Sequence, residues 1–335
     1  MFCHRSARTV MLVVLVGLLA LFGVWAEAAE VVVYTSLEND EVVEYLKQAK
    51  VDMPDLEVKW IRLSTGDLGA RMLAERDNPQ ADVIWGWAVT NLIPFAKQGL
   101  TEPYAPKGAE KIPAQFKDKN HHWVAIDLYM AAFSVNTDVA KKKNLPIPTS
   151  WEDLLNPVYK GEIVMPNPAS SGTGYLQISA ILQMKGEAAG WEYLKKLDKN
   201  IAQYIKSGSR PAKMAAAGEY AIGASFEFAV AKLIDQGSPV KMVIPKEGAG
   251  YELEANALMK GAKRPEAGKR FLDWAISENA MRQYAKWKAG VTLAGMPTPA
   301  YLPGELSKIL YPMNFEWSAA NYGRIVKEWE SLFLR

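Results

Sequence analysis

The order of apolar segments predicts an α/β fold of two Rossmann-like lobes joined by crossing strands, with a ligand cleft between them. Three observations carry this. A β-α-β-α-β order runs from Glu30 to Trp87, and a second β-α-β pattern starts at Ile163. Between and after them, the stretches near Asp127–Ser134 and Glu252–Met259 read as strands that cross from one lobe to the other. The expected division is a leader over 1–28, lobe 1 over 29–128 and 257–305, and lobe 2 over 129–256 and 306–335.

In lobe 1, Glu30–Ser36 is a buried strand running into a polar loop, and Glu41–Lys50 is a helix with Val42, Val43, Leu46 and Ala49 on one face. Leu56–Ile61 alternates as a strand. Leu68–Asp77 is a second helix, closed by Asn78-Pro79, and Asp82–Trp87 is a third strand. Parallel strands of this kind gather ligands beyond their carboxyl ends, so the loops after Tyr34 and at Trp85–Trp87 are expected at one rim.

Trp123–Val135 reads as one or two strands, followed by short helices over Asn136–Lys143 and Trp151–Leu155. Ser150-Trp151-Glu152-Asp153 has the form of a capping box. Lobe 2 then offers a strand at Ile163–Met165, helices over Leu176–Met184 and Ala188–Lys196, and a segment Ala202–Ile205. A helix over Pro211–Ala217 and a strand over Tyr220–Glu227 follow. The C-terminal part is mostly helical: Pro265–Ser277, Glu278–Lys286 and Asn321–Leu334, with a proline-rich connection over Pro297–Pro303. These helices are expected to pack on the lobes.

Met165–Tyr175 places two prolines after a strand and a cluster of Ser, Gly and Thr before a helix. The first N–H groups of a helix lack partners inside it and lie at the positive end of its dipole. Hydroxyls and glycine there make either a plain N-cap or a cradle for phosphate, phosphonate or carboxylate.

The 335 residues are 49% hydrophobic and 23% charged, ordinary for a globular protein, and the formal net charge of +2 gives no nucleic-acid surface. Eleven Trp and fourteen Tyr suit an aromatic-lined cleft as well as a core. Arg5 and Arg8, the uncharged run Val10–Trp25 and Ala26-Glu27-Ala28 have the layout of a cleavable signal peptide, with the mature chain starting at Ala29 or Glu30. The single cysteine, Cys3, lies in that leader, so the mature chain has no disulfide, thiol nucleophile or thiolate metal site. Export to a bacterial periplasm follows.

The sequence offers no enzyme motif: no HExxH, no G-x-S-x-G and no Walker A sequence. Gly172-Thr173-Gly174 lacks the third glycine of a dinucleotide fingerprint. Beyond His4, the only histidines are the adjacent His121 and His122, which read as solvated. No metal and no cofactor is expected.

Six phrases stand out as a set: Tyr34-Thr35-Ser36, Asp82-Val83-Ile84-Trp85, Ala131–Asn136 and Pro148–Leu154, together with Ala216–Gly223 and Lys260–Ala267. In them the chain resembles the periplasmic ligand-binding proteins of ABC importers. The phrases are typical of the ferric-ion-binding branch of the type 2 periplasmic binding proteins, which also holds thiamine, polyamine and phosphonate binders. Iron-binding members are implied to use a His or Glu after the first strand and a tyrosine pair near the end of the strand matching Ala221–Phe228. Here Phe226-Glu227 stands at that pair and Leu37-Glu38 in the first loop, so a hard ferric site lacks its phenolates.

What remains looks similar to the 2-aminoethylphosphonate-binding subgroup. In that reading Ser36, Ser170, Ser171, Gly172 and Thr173 hold the phosphonate, with Ser207, Ser209 and Arg210 from a second helix start. Glu227, or else Asp127, holds the ammonium, and Trp85, Trp87 and Tyr129 supply an aromatic face. The expected protein is a monomer that takes a small aminophosphonate or similar anion and delivers it to an ABC permease in the inner membrane. Another small anion such as a phosphate ester, ferric ion or a polyamine stays open as the ligand. A secreted enzyme or a sensor-presenting module on the same frame is the reading from another class.

Overall fold

The computed structural model describes residues 29–334, so the expected leader over 1–28 lies outside the described residues. Lobe 1 is built from β1 (Ala29–Thr35), α1 (Asn39–Asp52), β2 (Leu56–Arg62), α2 (Thr65–Ala74), β3 (Val83–Ala88), α3 (Val89–Lys97) and β4 (Thr101–Glu102). The long strand β5 (Val124–Asn136) leads through α4 (Thr137–Lys142) into β6 (Ile163–Pro166), α5 (Gly172–Lys185), α6 (Glu187–Asp198) and β7 (Ile201–Ile205). Then follow α7 (Arg210–Ala216), β8 (Ile222–Phe226), α8 (Glu227–Asp235), β9 (Val240–Val243) and β10 (Tyr251–Met259). The chain closes with α9 (Pro265–Ala275), α10 (Glu278–Tyr284), β11 (Gly290–Val291), α11 (Leu306–Ile309) and α12 (Phe315–Phe333).

The strands run in the order β2-β1-β3-β10-β5-β8-β6-β7. β1 is parallel to β2 and β3, and β6 is parallel to β7 and β8, as right-handed crossovers require. β5 makes the joint. Its first half, Val124–Met130, pairs antiparallel with β10, and its second half, Ala131–Val135, pairs with β8. All thirteen of its residues are buried, which fits a strand covered on both faces. The expected lobe boundaries at 128/129 and 256/257 fall inside β5 and β10, two unbroken strands.

Each lobe has its own core. Lobe 1 buries Val31, Val33, Trp85 and Phe271 on one side of its sheet, and lobe 2 packs Phe133, Trp151, Ile181 and Trp329. Three boundaries differ from the expected ones, two of them because of caps. Ser171 Oγ accepts the Gly174 N–H at 3.3 Å, so α5 begins within the Ser/Gly/Thr cluster itself. Asn314 Oδ1 accepts the Trp317 N–H at 2.9 Å and starts α12 at Phe315, earlier than the apolar pattern from Asn321 indicates. β8 stops at Phe226 and Glu227 already opens α8, so the strand expected over Tyr220–Glu227 ends one residue short. Ser150 caps as expected, accepting the Asp153 N–H at 2.9 Å, but the Asp153 carboxylate turns back to Thr149.

Candidate functional site

Two helix starts face each other between the lobes. In lobe 1, β2 ends at Arg62 and Ser64-Thr65-Gly66 opens α2. In lobe 2, β6 ends at Pro166 and Ser171-Gly172-Thr173 opens α5. Gly172 approaches Thr65 so closely that a Cβ on it would lie 2.6 Å from Thr65 Oγ1. The space they enclose, ≈ 400 Å³ and open to solvent, is also lined by Ser36, Glu38, Glu41, Arg62, Tyr129, Gly208, Phe226, Phe228 and Glu254.

The walls touch at several points. The Gly66 N–H donates to Ser170 O at 3.0 Å, and Ser209 Oγ donates to Glu38 Oε2 at 3.3 Å. An ion pair joins Lys232 on α8 to Asp40 on α1. The lobes are therefore closed on one another.

Arg62 is the only cation among the lining residues. Its Nε donates to Leu37 O at 3.1 Å and its Nη2 to Glu38 Oε1 at 2.9 Å, which fixes the guanidinium at the cleft edge. Sequence reasoning passed over Arg62 and over Ser64-Thr65-Gly66. The latter repeats the strand, hydroxyl, glycine, helix order that marks Ser170–Gly174, and that repetition was the available signal.

The expected site residues divide into three groups. Ser36, Tyr129, Ser171, Gly172 and Thr173 line the cleft. Ser170, Ser207, Ser209 and Arg210 sit at its rim, where Ser170 Oγ bonds Lys206 O at 3.1 Å and Ser207 Oγ lies 3.3 Å from Ser209 Oγ. Arg210 is exposed. Trp85, Trp87, Asp127 and Glu227 are buried away from it.

Trp85 stacks edge-on against Phe271, Trp274 and Tyr45, and its Nε1 donates to Tyr284 Oη at 3.1 Å. Trp87 Nε1 donates to Thr65 O at 3.0 Å and so supports the α2 start from behind. The aromatic side of the cleft is Tyr129, Phe226 and Phe228 instead, packed ring to ring. Glu227 accepts the Met130 N–H at 2.7 Å and the Ala289 N–H at 3.1 Å. Burial pushes its carboxyl up to about 8 against the pull of those N–H groups. Glu38 and Glu254 are the carboxylates that reach the ligand space, with Glu41 beneath them.

The floor is a buried charge cluster. Lys288, fully buried, lies 2.8 Å from Glu41 Oε1 and 2.7 Å from Glu254 Oε2, with its ammonium 4.0 Å from the centre of the Phe228 ring. Asp127 is paired in register with Glu254 on the neighbouring strand and is also fully buried. Among the described residues no group of three or more His, Cys, Asp or Glu is arranged to hold a metal ion.

Residues 78–324 match the bacterial extracellular solute-binding protein family. The chain belongs to that family. Among solute-binding proteins with solved structures it resembles the periplasmic binding protein AfuA from Actinobacillus pleuropneumoniae, solved with exogenous fructose-6-phosphate bound. The TM-score is 0.85 at 32% identity, covering 91% of this chain and 99% of that one. An uncharacterized protein of Haemophilus influenzae is 32% identical over 338 residues, 97% of each chain. The putative 2-aminoethylphosphonate-binding periplasmic protein of Salmonella typhimurium is 24% identical over 251 residues, covering 72% of this chain and 71% of that one. The fold is that of type 2 periplasmic binding proteins, and the likeness to the aminoethylphosphonate subgroup is distant.

Proposed function

We propose that this solute-binding protein captures a small phosphate monoester with a polyhydroxylated carbon skeleton, of the sugar-phosphate class, in the periplasm, and delivers it to an ABC importer. The observation that carries this reading is the convergence of the α2 and α5 starts, with Arg62, on one space. Opposed helix starts supply several N–H and hydroxyl donors and two positive dipole ends, the requirements of a phosphate dianion. Arg62 adds the planar, charged donor suited to phosphate oxygens.

The rest of the lining fits hydroxyls better than an ammonium. Glu38 is already matched to Arg62, and Glu254 to Lys288. Carboxylates whose charge is balanced in this way accept hydrogen bonds from neutral hydroxyls and have less to offer a further cation. Phe226 and Phe228 give the ring of a sugar an apolar surface. The relative with fructose-6-phosphate bound supports the same class.

2-Aminoethylphosphonate is the second reading. Its phosphonate fits the same cradle, but its amine has to find Glu38 or Glu254, since Glu227 is occupied by two backbone N–H groups. No chemical step is involved in either case. Ligand closes the lobes, and the permease reads the closed shape. A thermal-shift panel of fructose-6-phosphate, glucose-6-phosphate, 2-aminoethylphosphonate, inorganic phosphate and spermidine tests the assignment. The sugar phosphates should give the largest stabilisation, and a larger shift with spermidine or aminoethylphosphonate overturns it.

A further inference from the structure

Tyr129 stands at the joint between the lobes. Met130 is the last residue of the β5 half that pairs with β10, and Ala131 is the first that pairs with β8. Tyr129 itself is 6% exposed and lines the cleft. Its ring packs edge-on with Phe226, the centroids 5.7 Å apart. The hydroxyl lies beside the start of α5. A Cβ on Gly172 would come 3.2 Å from Tyr129 Oη and 2.6 Å from Thr65 Oγ1, and the Thr173 hydroxyl is within hydrogen-bonding reach of Tyr129. Three hydroxyls therefore gather around Gly172: Thr65 from α2, Tyr129 from the joint strand and Thr173 from α5.

These hydroxyls surround the open end of α5. Ser171 takes the Gly174 N–H with its side chain and the Tyr175 N–H with its carbonyl. The N–H groups of Gly172 and Thr173 come before these, and the first N–H groups of a helix find no carbonyl within it. An anion lodged against them comes within reach of the Tyr129 O–H. Other hydroxyls of the cleft are already committed to backbone: Ser36 Oγ donates to Gly86 O at 2.8 Å, and Ser170 Oγ to Lys206 O at 3.1 Å. Burial, with the charges of Glu252 and Glu254, holds the Tyr129 phenol well above its ordinary range. It therefore keeps its proton and is a donor.

We propose that the Tyr129 hydroxyl donates a hydrogen bond to the phosphate head group, so that Tyr129 reads the anion from the joint strand and does not serve as an aromatic face for the carbon skeleton. The inference rests on the cleft being the phosphate-ester site. A contact of this kind is indifferent to the skeleton, so every ligand with a phosphate or phosphonate head feels it alike.

The test is calorimetric titration of the mature protein and of its Tyr129→Phe variant with fructose-6-phosphate, glucose-6-phosphate, 2-aminoethylphosphonate and inorganic phosphate. Phenylalanine keeps the ring and its packing on Phe226 and removes only the hydroxyl. Losing a hydrogen bond to a charged group should raise Kd roughly 10- to 100-fold, by a similar factor for each ligand that the wild-type protein binds. An unchanged Kd for any of those ligands overturns the inference and leaves the phosphate site standing. Where the variant does not fold, incorporation of 3-fluorotyrosine at position 129 decides the matter. Its fluorine resonance should shift on saturation with each ligand that binds, and a resonance that stays in place overturns the inference. Failure of all four ligands to bind the wild-type protein overturns the phosphate-ester site itself, and the inference with it.

Discussion

One oxygen of the Glu227 carboxylate accepts the Met130 N–H at 2.7 Å, at the point where β5 passes from one lobe to the other. Its other oxygen takes the Ala289 N–H, so Glu227 ties the start of α8 to both the joint strand and the segment that carries Lys288. A carboxylate used in this way holds the frame of the cleft and has no free oxygen for a ligand.

Glu227→Gln should therefore act on stability. The amide presents an N–H to one of two backbone N–H groups, and an unsatisfied buried donor costs roughly 1–3 kcal/mol. Urea unfolding should show that loss. The ratio of affinities for a phosphate ester and for 2-aminoethylphosphonate should not move. A loss confined to the aminated ligand would return Glu227 to the cleft.

Closure depends on Gly66. A Cβ there would lie 2.0 Å from Ala169 O, a backbone atom of the opposite lobe. Gly66→Ala should leave the unliganded protein folded, since alanine is favoured over glycine within a helix by roughly 0.5–1 kcal/mol. It should abolish the contraction on ligand binding seen by small-angle scattering and weaken affinity at least tenfold. Unchanged affinity would mean that capture does not need this contact.

Arg62→Ala removes the one cation of the cleft lining. Charge-assisted hydrogen bonds are worth about 1.5–3 kcal/mol, so affinity for a phosphate ester should fall roughly 10- to 100-fold. Because Arg62 also restrains Glu38, Arg62→Lys should recover only part of the loss. Full recovery would show that charge alone, without the guanidinium fork, is sufficient.

The order of strands and helices was legible because apolar periodicity reports burial directly. The helix start at Ser171–Thr173, which lines the cleft, was legible because hydroxyls and glycine between a strand and a helix mark an N-cap. The choice among carboxylates was not. It turns on β8 ending at Phe226 and not at Glu227, a one-residue matter that no pattern fixes. Trp85 and Trp87 misled for a related reason. β3 is buried on both faces, so alternate residues do not sort into core and rim. The surroundings of Asp127 carry no local signal, since Glu254, which faces it across the strand pair, is far away along the chain.

Two further buried acids make stability depend on pH. Burial pushes Glu252 up to about 8, against the Thr90 hydroxyl that bonds it at 2.6 Å, and Glu227 also to about 8. Both values lie above those of the unfolded chain. Their stabilisation is complete below about pH 4.5 and is lost as pH rises towards 8. The melting temperature of the ligand-free protein should fall across that interval, and Glu252→Gln should flatten the slope. A slope unchanged by the variant removes Glu252 from the account.

The central claim is that the opposed α2 and α5 starts hold a phosphate group. Calorimetric titration with fructose-6-phosphate and, separately, with fructose tests it most directly. The ester should bind one to one with a favourable enthalpy, and the free sugar should give no measurable heat of binding at the same concentrations. Equal binding of the two, or binding of fructose alone, would contradict the account.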